Sequence, residues 1–310
     1  MRTSTELVRH AERWGYHRYW VAEHHGMPSV ASSSPAVLIA HLAANSESIR
    51  LGSGGVMLPN HPPLIVAEQF ATLHALHPGR IDLGLGRAPG TDPATASAMR
   101  RGDADAFPEE VSALTAFLDG EAPGGPCSPT RSTPTARPSG CWAPAASAPQ
   151  LAGLLGLPFA FAHHFSAENT EPALDLYRST FRPSRWLDRP YAMIGVSAVA
   201  ADSSEQALRL SRTLALAMLR LRRGRPSPIP SPEEAEAYPY SDVEQTFVDG
   251  YLRNVVKGTG AEVRAGLGAL RERTRADELM ITTGVYGGAN RIRSYELIAE
   301  AHKLKASGDA

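Results

Sequence analysis

Three short apolar runs constrain this chain more than any other feature. They are Arg18-Tyr-Trp-Val-Ala-Glu-His-His25, Leu51-Gly-Ser-Gly-Gly-Val-Met-Leu-Pro59 and Arg80-Ile-Asp-Leu-Gly-Leu-Gly-Arg87. Each ends in polar or glycine residues, and a helical stretch separates each from the next. A short apolar run bounded by turn residues reads as a buried strand. Repeated alternation of such strands with helices argues a parallel sheet with the helices outside it. In an α/β barrel of this kind the strands' C-terminal ends share one rim, where chemistry collects. His24 and His25 close the first run.

The pattern continues along the chain. Spacing of apolar residues predicts helices over 4–14, 35–45, 64–76, 107–119, 168–180, 203–221, 241–256, 260–273 and 291–305. It predicts strands over 17–22, 49–56, 81–85, 157–162, 191–199 and 278–283, and the rhythm asks for one more ahead of Leu151. The total of about seven is one short of a (β/α)8 TIM barrel. Two stretches break the rhythm. The chain opens on a helix, so the first strand is expected to be missing or altered. Residues 121–149 contain no Val, Ile, Leu or Phe, hold seven prolines and carry both cysteines, Cys127 and Cys141. That composition cannot fill a core and reads as an irregular segment, so the strand near 140–147 is expected to be lacking or altered too. The Arg/Pro/Glu-rich stretch 222–240 reads as an insertion loop. The expectation is one barrel domain over 1–310.

Composition excludes several classes. The formal net charge is -1 over 310 residues, which gives no electrostatic reason to expect nucleic acid or an anionic membrane as partner. No apolar run approaches the roughly 18 residues that a membrane span needs. Two cysteines make no disulfide framework, and the polar start Met1-Arg-Thr-Ser-Thr-Glu-Leu is not a signal peptide. A cytoplasmic location is the expectation.

The residues from Tyr16 to Gly90 resemble the bacterial-luciferase-like flavin-dependent oxidoreductases. The segments that carry the likeness are Trp20-Val-Ala-Glu-His-His25, Ser33-Ser-Pro-Ala-Val37, Gly54-Gly-Val-Met-Leu-Pro-Asn-His-Pro62, Ala67-Glu-Gln69 and His77-Pro-Gly-Arg-Ile-Asp-Leu-Gly-Leu-Gly-Arg87. Later segments at Leu151–Phe165 and Glu278–Thr283 also fit. The resemblance implies a luciferase-like (β/α)8 barrel, often a homodimer, and a monooxygenase that uses reduced FMN and O2 on a small organic substrate. The FMNH2 would come from a separate flavin reductase acting transiently; deazaflavin F420 is the alternative cofactor.

Residue by residue, the resemblance implies His24 as the catalytic histidine beside the flavin ring, where a neutral imidazole can take up a proton near working pH. Glu23 is a candidate to orient a histidine. Gly54, Gly55 and Val56 match the segment under the flavin ring that carries a non-proline cis peptide. Arg87 falls where the family contacts flavin or substrate; its bland alternative is an ion pair to Asp82 or Asp92. His25, His164 and Phe165 are weaker candidates for the substrate pocket, and His163-His164 is expected at the same mouth. In the family, small hydroxyl residues before the helix near Leu151 hold the flavin phosphate. Here that place reads Cys141-Trp-Ala-Pro-Ala-Ala-Ser-Ala-Pro149, which leaves Ser147 as its hydroxyl. The pattern is lost and regained at constant spacing, which suggests either out-of-frame translation or a divergent loop.

Two other classes fit parts of the sequence. A barrel with a damaged phosphate side would be a non-catalytic flavin-binding protein. A metal hydrolase would use His24, His25, His163 and His164, but neighbouring residues on one strand point to opposite faces, so no metal site is expected.

Overall fold

All six residues of Ile81-Asp-Leu-Gly-Leu-Gly86 and all nine of Ala192–Ala200 are buried. Only strands covered on both faces tolerate such runs, and that is the environment of a parallel sheet. The computed structural model describes residues 1–120, 138–142 and 148–305. Its strands are β1 (Arg18–Val21), β2 (Arg50–Ser53), β3 (Val56–Met57), β4 (Ile81–Gly86), β5 (Pro138–Trp142), β6 (Phe159–Phe161), β7 (Ala192–Ala200), β8 (Val256–Gly258) and β9 (Glu278–Thr282). Every pairing among them is parallel.

The hydrogen-bonded path runs β1-β2-β4-β5-β6-β7. β3 continues the line of β2 and also lies against β4, with Val56 opposite Leu85. β7 has two neighbours on one edge: Met193–Ser197 pair with β9, and Ala198–Ala200 pair with the short side strand β8. With β2 and β3 counted together and β8 set aside, seven barrel positions are filled. Among the described residues no strand pairing joins β1 to β9.

The helices enclose this sheet because each buries one stripe. Helix Arg2–Arg13 turns Leu7, Val8 and Ala11 inward, and helix Pro63–Leu76 turns in Val66, Ala67, Phe70 and Leu73. These spacings follow the helical repeat. Phe159, Phe161 and Tyr177 fill the core between β6 and helix Thr170–Thr180. Among the described residues no helix is long and apolar enough to cross a membrane.

Three expectations need correction. The strand required ahead of Leu151 is present as β5, bonded between β4 and β6. The ladder is made by backbone groups, so Pro-Ser-Gly-Cys-Trp can extend there without the β-branched residues that periodicity detects. Residues 121–137 and 143–147, with Cys127 and Ser147, lie outside the described residues. The stretch 222–240 is not all loop: Pro232–Ala237 forms a helix capped by the Ser231 side chain and tied to Arg209 through Glu233 and Glu236. β8 was not foreseen, because three residues between two helices carry too little pattern.

An ionic knot holds the lower end of the barrel. The fully buried Asp82 carboxylate accepts from Arg18 Nη1 at 2.6 Å, from Trp20 Nε1 at 3.0 Å and from Arg50 Nε at 3.1 Å. Arg18 Nε also reaches Glu278 of β9 at 2.7 Å, and Tyr191 donates to the same carboxylate at 2.7 Å. Burial alone would push the Asp82 carboxyl up, but Arg18 and then Arg50 outweigh it and hold it below the ordinary aspartate range. Breaking a buried ion pair typically costs about 3–5 kcal/mol. Asp82 keeps Arg50, so Arg18→Met is expected near the bottom of that range by urea unfolding. The folded-state pKa lies below the unfolded value of about 4, so this carboxylate's contribution is complete above about pH 4 and is lost as pH falls toward the folded value. Asp82→Asn should therefore lower stability at pH 7 and flatten the acid limb of the stability curve.

Candidate functional site

Parallel strands place all their C-terminal ends on one rim. Ala22–His25 follow β1, Gly54–Gly55 follow β2, Arg87 follows β4, Ala162–His164 follow β6 and Thr283 follows β9. The rim thus gathers the residues singled out in the sequence, apart from Ser147.

Two backbone approaches build its floor. The Gly54–Gly55 peptide is cis. A Cβ on Gly54 would stand 2.8 Å from the Trp20 ring, and one on Gly55 would stand 2.9 Å from the Gly84 carbonyl oxygen. Gly84 has no room either, since its Cβ would meet Ser53 O at 2.2 Å. Ser53 fastens the pair by donating Oγ–H to Gly84 O at 2.8 Å and accepting from Gly84 N at 3.1 Å. The result is a side-chain-free shelf of backbone beside Val56, which is buried.

Above the shelf Glu23 forms a second knot. Its carboxylate is fully buried and accepts from His25 Nε2 at 2.9 Å, His61 Nε2 at 2.9 Å, Asn60 Nδ2 at 3.1 Å and the Met57 backbone N–H at 3.0 Å. Burial would raise this carboxyl, but the hydrogen bonds from His61, His25 and Met57 outweigh it and hold it below its ordinary value. Four donors leave Glu23 fully engaged. His25 is turned into this knot, and its backbone N–H donates to Gly90 O at 3.0 Å. Gly90 has φ +66°, and a Cβ there would lie 2.8 Å from Glu23 O, so this loop comes close only because it is glycine.

His24 stands apart. Its backbone N–H is fixed to Ser32 O at 2.9 Å, but its ring Nδ1 is buried with no hydrogen-bond partner. A buried polar atom without a partner costs free energy, and both oxygens of the adjacent residue Glu23 are engaged elsewhere. Burial pushes the His24 pKa down, with Glu23 opposing and His25 assisting, so the imidazole is neutral near pH 7.

The remaining candidates divide. Arg87 is half-buried, its carbonyl accepts from Arg101 Nη2 at 2.6 Å, and among the described residues its guanidinium has no ion pair. The two carboxylates weighed as its partners are used elsewhere: Asp82 in the lower knot, and Asp92 as the cap of helix Pro93–Ala98. His164 is fixed by Nδ1 donating to Gly195 O at 2.9 Å, and burial pushes it down to about 4. Phe165 packs on the His164 ring at 4.3 Å and is 59% exposed. His163 does not face the mouth. It is buried and bonded through Nδ1 to Thr170 Oγ1 at 2.7 Å, at the start of the next helix, because side chains alternate along the strand end. His61 and Asn60 were not singled out from sequence. Their signal was two polar residues between prolines in the loop after β3. Among the described residues no three His, Cys, Asp or Glu side chains group as a metal site.

A parallel α/β barrel with a side-chain-free shelf and a neutral histidine on its C-terminal rim is the frame of a cofactor-using enzyme. The family model for luciferase-like monooxygenases matches residues 1–278, and the chain belongs to that family. It is 45% identical over 297 residues to a luciferase-like monooxygenase of Escherichia coli strain K12, covering 95% of this chain and 89% of that one. The crystal structure of apo-MsnO8 superposes with a TM-score of 0.88 at 35% identity, covering 98% of this chain and 93% of the other. The oxygenating constituent of 3,6-diketocamphane monooxygenase from Pseudomonas putida, solved in complex with FMN, shares the fold at TM-score 0.68 and 16% identity, over 96% and 92% of the two chains.

Glycine substitutions should separate close approach from open space. Gly55→Ala forces a Cβ into backbone and is expected to cost about 1–3 kcal/mol in urea unfolding. Gly268, inside helix Gly260–Thr274, has nothing within 4 Å of its Cβ position. Gly268→Ala should stabilise by about 0.5–1 kcal/mol.

Proposed function

We propose that this chain is a monooxygenase that holds reduced FMN on the Gly54–Gly55–Val56 shelf and uses O2 to oxidise a small organic substrate, with His24 as the proton-handling residue. The observation that carries the reading is His24 itself: a neutral imidazole whose buried Nδ1 has no partner among the described residues, on the same strand-end rim as the close-packed Gly54–Gly55 backbone. A flat ring can lie on such a shelf, and its polar edge can supply the partner that Nδ1 lacks. Arg87 is the uncommitted cation for a pyrimidine oxygen or a phosphate, and Ser147 is assigned to the phosphate side.

The flavin supplies the oxygen-activating chemistry when bound. The chain's own residues supply binding, exclusion of water and proton control. His24 accepts or returns a proton at the reacting centre, a role worth typically 10²–10⁴-fold in rate. Glu23 keeps His25 and His61 fixed, so the rim does not shift as His24 works. His25, His164 and Phe165 are assigned to the wall of the substrate pocket. With its pKa pushed down to about 4, His164 stays neutral and packs its ring at a tilt against Phe165.

The reading extends to context. FMNH2 comes from a separate flavin reductase in transient contact, because no nicotinamide-binding pattern is present. The chain is assigned to a homodimer, and Val37 and Ile65, 72% and 44% exposed on helices Pro35–Ala43 and Pro63–Leu76, are apolar residues available to it. One barrel domain over 1–310 in the cytoplasm completes the assignment.

Anaerobic titration with reduced FMN, followed by oxygen uptake with a flavin reductase and NADH, tests the proposal. Binding that saturates in the micromolar range supports it; no binding at high micromolar FMN, or tighter binding of F420, overturns the cofactor assignment. His24→Gln is expected to bind FMN within about threefold of the parent while turnover falls about 10²–10⁴-fold. His24 is the base in its neutral form and its pKa is lowered. The acid limb of the parent's pH profile should therefore have its midpoint below about 6.5, the ordinary histidine value.

A further inference from the structure

We propose that the Ser197 and Tyr251 hydroxyls form a subsite, on the β7 side of the rim, that hydrogen-bonds a neutral acceptor oxygen of the substrate. The inference rests on the reading of this rim as the pocket of an oxidising enzyme, and it goes beyond that reading by naming the polar group the substrate carries.

Ser197 lies toward the C-terminal end of β7, opposite Thr282 of β9. Ile194, Val196 and Ala198 pack into the main core with the helices. Alternation therefore turns Gly195, Ser197 and Val199 to the other face of the strand. The rim residue His164 meets this stretch, since its backbone N–H and its Nδ1 are both bonded to Gly195 O. Ser197 is 2% exposed, and its Oγ is buried with no hydrogen-bond partner among the described residues. A serine hydroxyl has one bond to donate and two to accept, and leaving them unmade in a buried place costs free energy.

Helix Asp242–Arg253 covers this corner. Its Val248 and Leu252 pack on Leu216 and Leu219 of helix Ser204–Arg222, and the capping box of Ser241 with Glu244 fixes its start. Tyr251 packs against that cluster and also against a second one, made by Val199, Leu210, Val255 and Val285. Val199 is two residues beyond Ser197 on the same face of β7, so the packing that holds the Tyr251 ring also delivers its phenol toward Ser197. The two hydroxyls approach each other without completing a hydrogen bond. Both remain able to donate to a third group.

The corner is uncharged. Burial pushes the Tyr251 phenol up to about 12, and no charged group adds to that shift or opposes it. His164 is neutral as well, pushed down to about 4. Tyr251 is therefore an O–H donor at any working pH. An anion bound here would lose its hydration with no cation to replace it. A neutral oxygen with two lone pairs takes one bond from each hydroxyl. A few polar groups set in an apolar wall are what fix a small ligand's orientation, so the ligand is a mostly apolar molecule with one acceptor oxygen.

Three probes of one shape test this: para-fluoroacetophenone, its isostere para-fluoro-α-methylstyrene, in which a methylene replaces the oxygen, and para-fluorobenzoate, which adds a charge. Each is titrated into the full chain without flavin and followed by fluorine NMR, and the bound ketone's C=O stretch is read by infrared difference spectroscopy. The ketone is expected to saturate and to bind at least about tenfold tighter than either of the others. Tyr251→Phe and Ser197→Ala, each checked for folding by circular dichroism, should lower ketone affinity about 3–10-fold and leave the olefin's within about twofold. Each should also move the bound C=O stretch to higher frequency, which a merely structural role would not do. No saturable ketone binding, equal binding of ketone and olefin, tightest binding of the benzoate, or a bound C=O stretch that neither substitution moves would each overturn the proposal. The FMN titration is a separate measurement: its failure with the ketone preference intact removes the flavin reading and leaves the hydroxyl pair as a ligand subsite.

Discussion

Asp82 carries its charge at no measurable exposure, and the register of the first three barrel positions depends on satisfying it. Taking a carboxylate out of water costs several kcal/mol unless cations and donors replace the lost hydration. Here they come from two neighbouring strands: Arg18 and Trp20 from β1, and Arg50 from β2. The ladder places Arg18 opposite Arg50, and Gly52 opposite Asp82. Gly52 has to lack a side chain, because a Cβ there would stand 2.5 Å from that of Asp82 and 2.7 Å from the Trp20 indole nitrogen. A slip of one residue in either strand would turn the arginines out of the barrel and leave the carboxylate buried without them.

That register sets the rim. Once Trp20 lies beside Gly52 it also lies over Gly54, so position 54 has no room for a side chain. The two ends of the barrel then differ in electrostatic character. The lower knot is a network of full charges, each matched by its opposite. The upper knot is a single carboxylate held by hydrogen bonds, with His24 beside it as an uncharged base. A proton can be moved at the upper end without disturbing any ion pair that the fold depends on.

Much of this was legible in the residues, for identifiable reasons. Strands buried on both faces announce themselves as apolar runs, so β1, β4, β6, β7 and β9 and the shared rim could be read directly. The cis peptide at Gly54–Gly55 and the catalytic candidacy of His24 came through family likeness rather than through pattern. β5 was hidden because its place in the ladder comes from the edges of β4 and β6 and not from its own side chains. The partners of Glu23 were hidden for a different reason. His61 and Asn60 sit in an irregular loop, and nothing in local sequence tells which buried acid a loop residue will reach. His163 was misplaced at the mouth because a pair of adjacent histidines gives no parity until the strand's end is known.

The Glu23 knot holds the C-terminal end of β1 from the side of β2 and its following loop. A barrel strand is ordinarily held by ladders on both edges, and its C-terminal end inherits that rigidity. Among the described residues β1 has a ladder to β2 alone, with Arg18–Glu278 as a side-chain tie at its lower end. Its upper end carries His24, the proposed proton-handling residue. The restraint missing from the β9 side is supplied from the other direction. Glu23, two residues beyond β1, binds the Met57 backbone, Asn60 and His61, all of which follow β2. His25 is pulled into the same carboxylate and its backbone onto Gly90. The catalytic candidate is thus bracketed by two residues, Glu23 and His25, anchored to β3, its loop and the loop after β4.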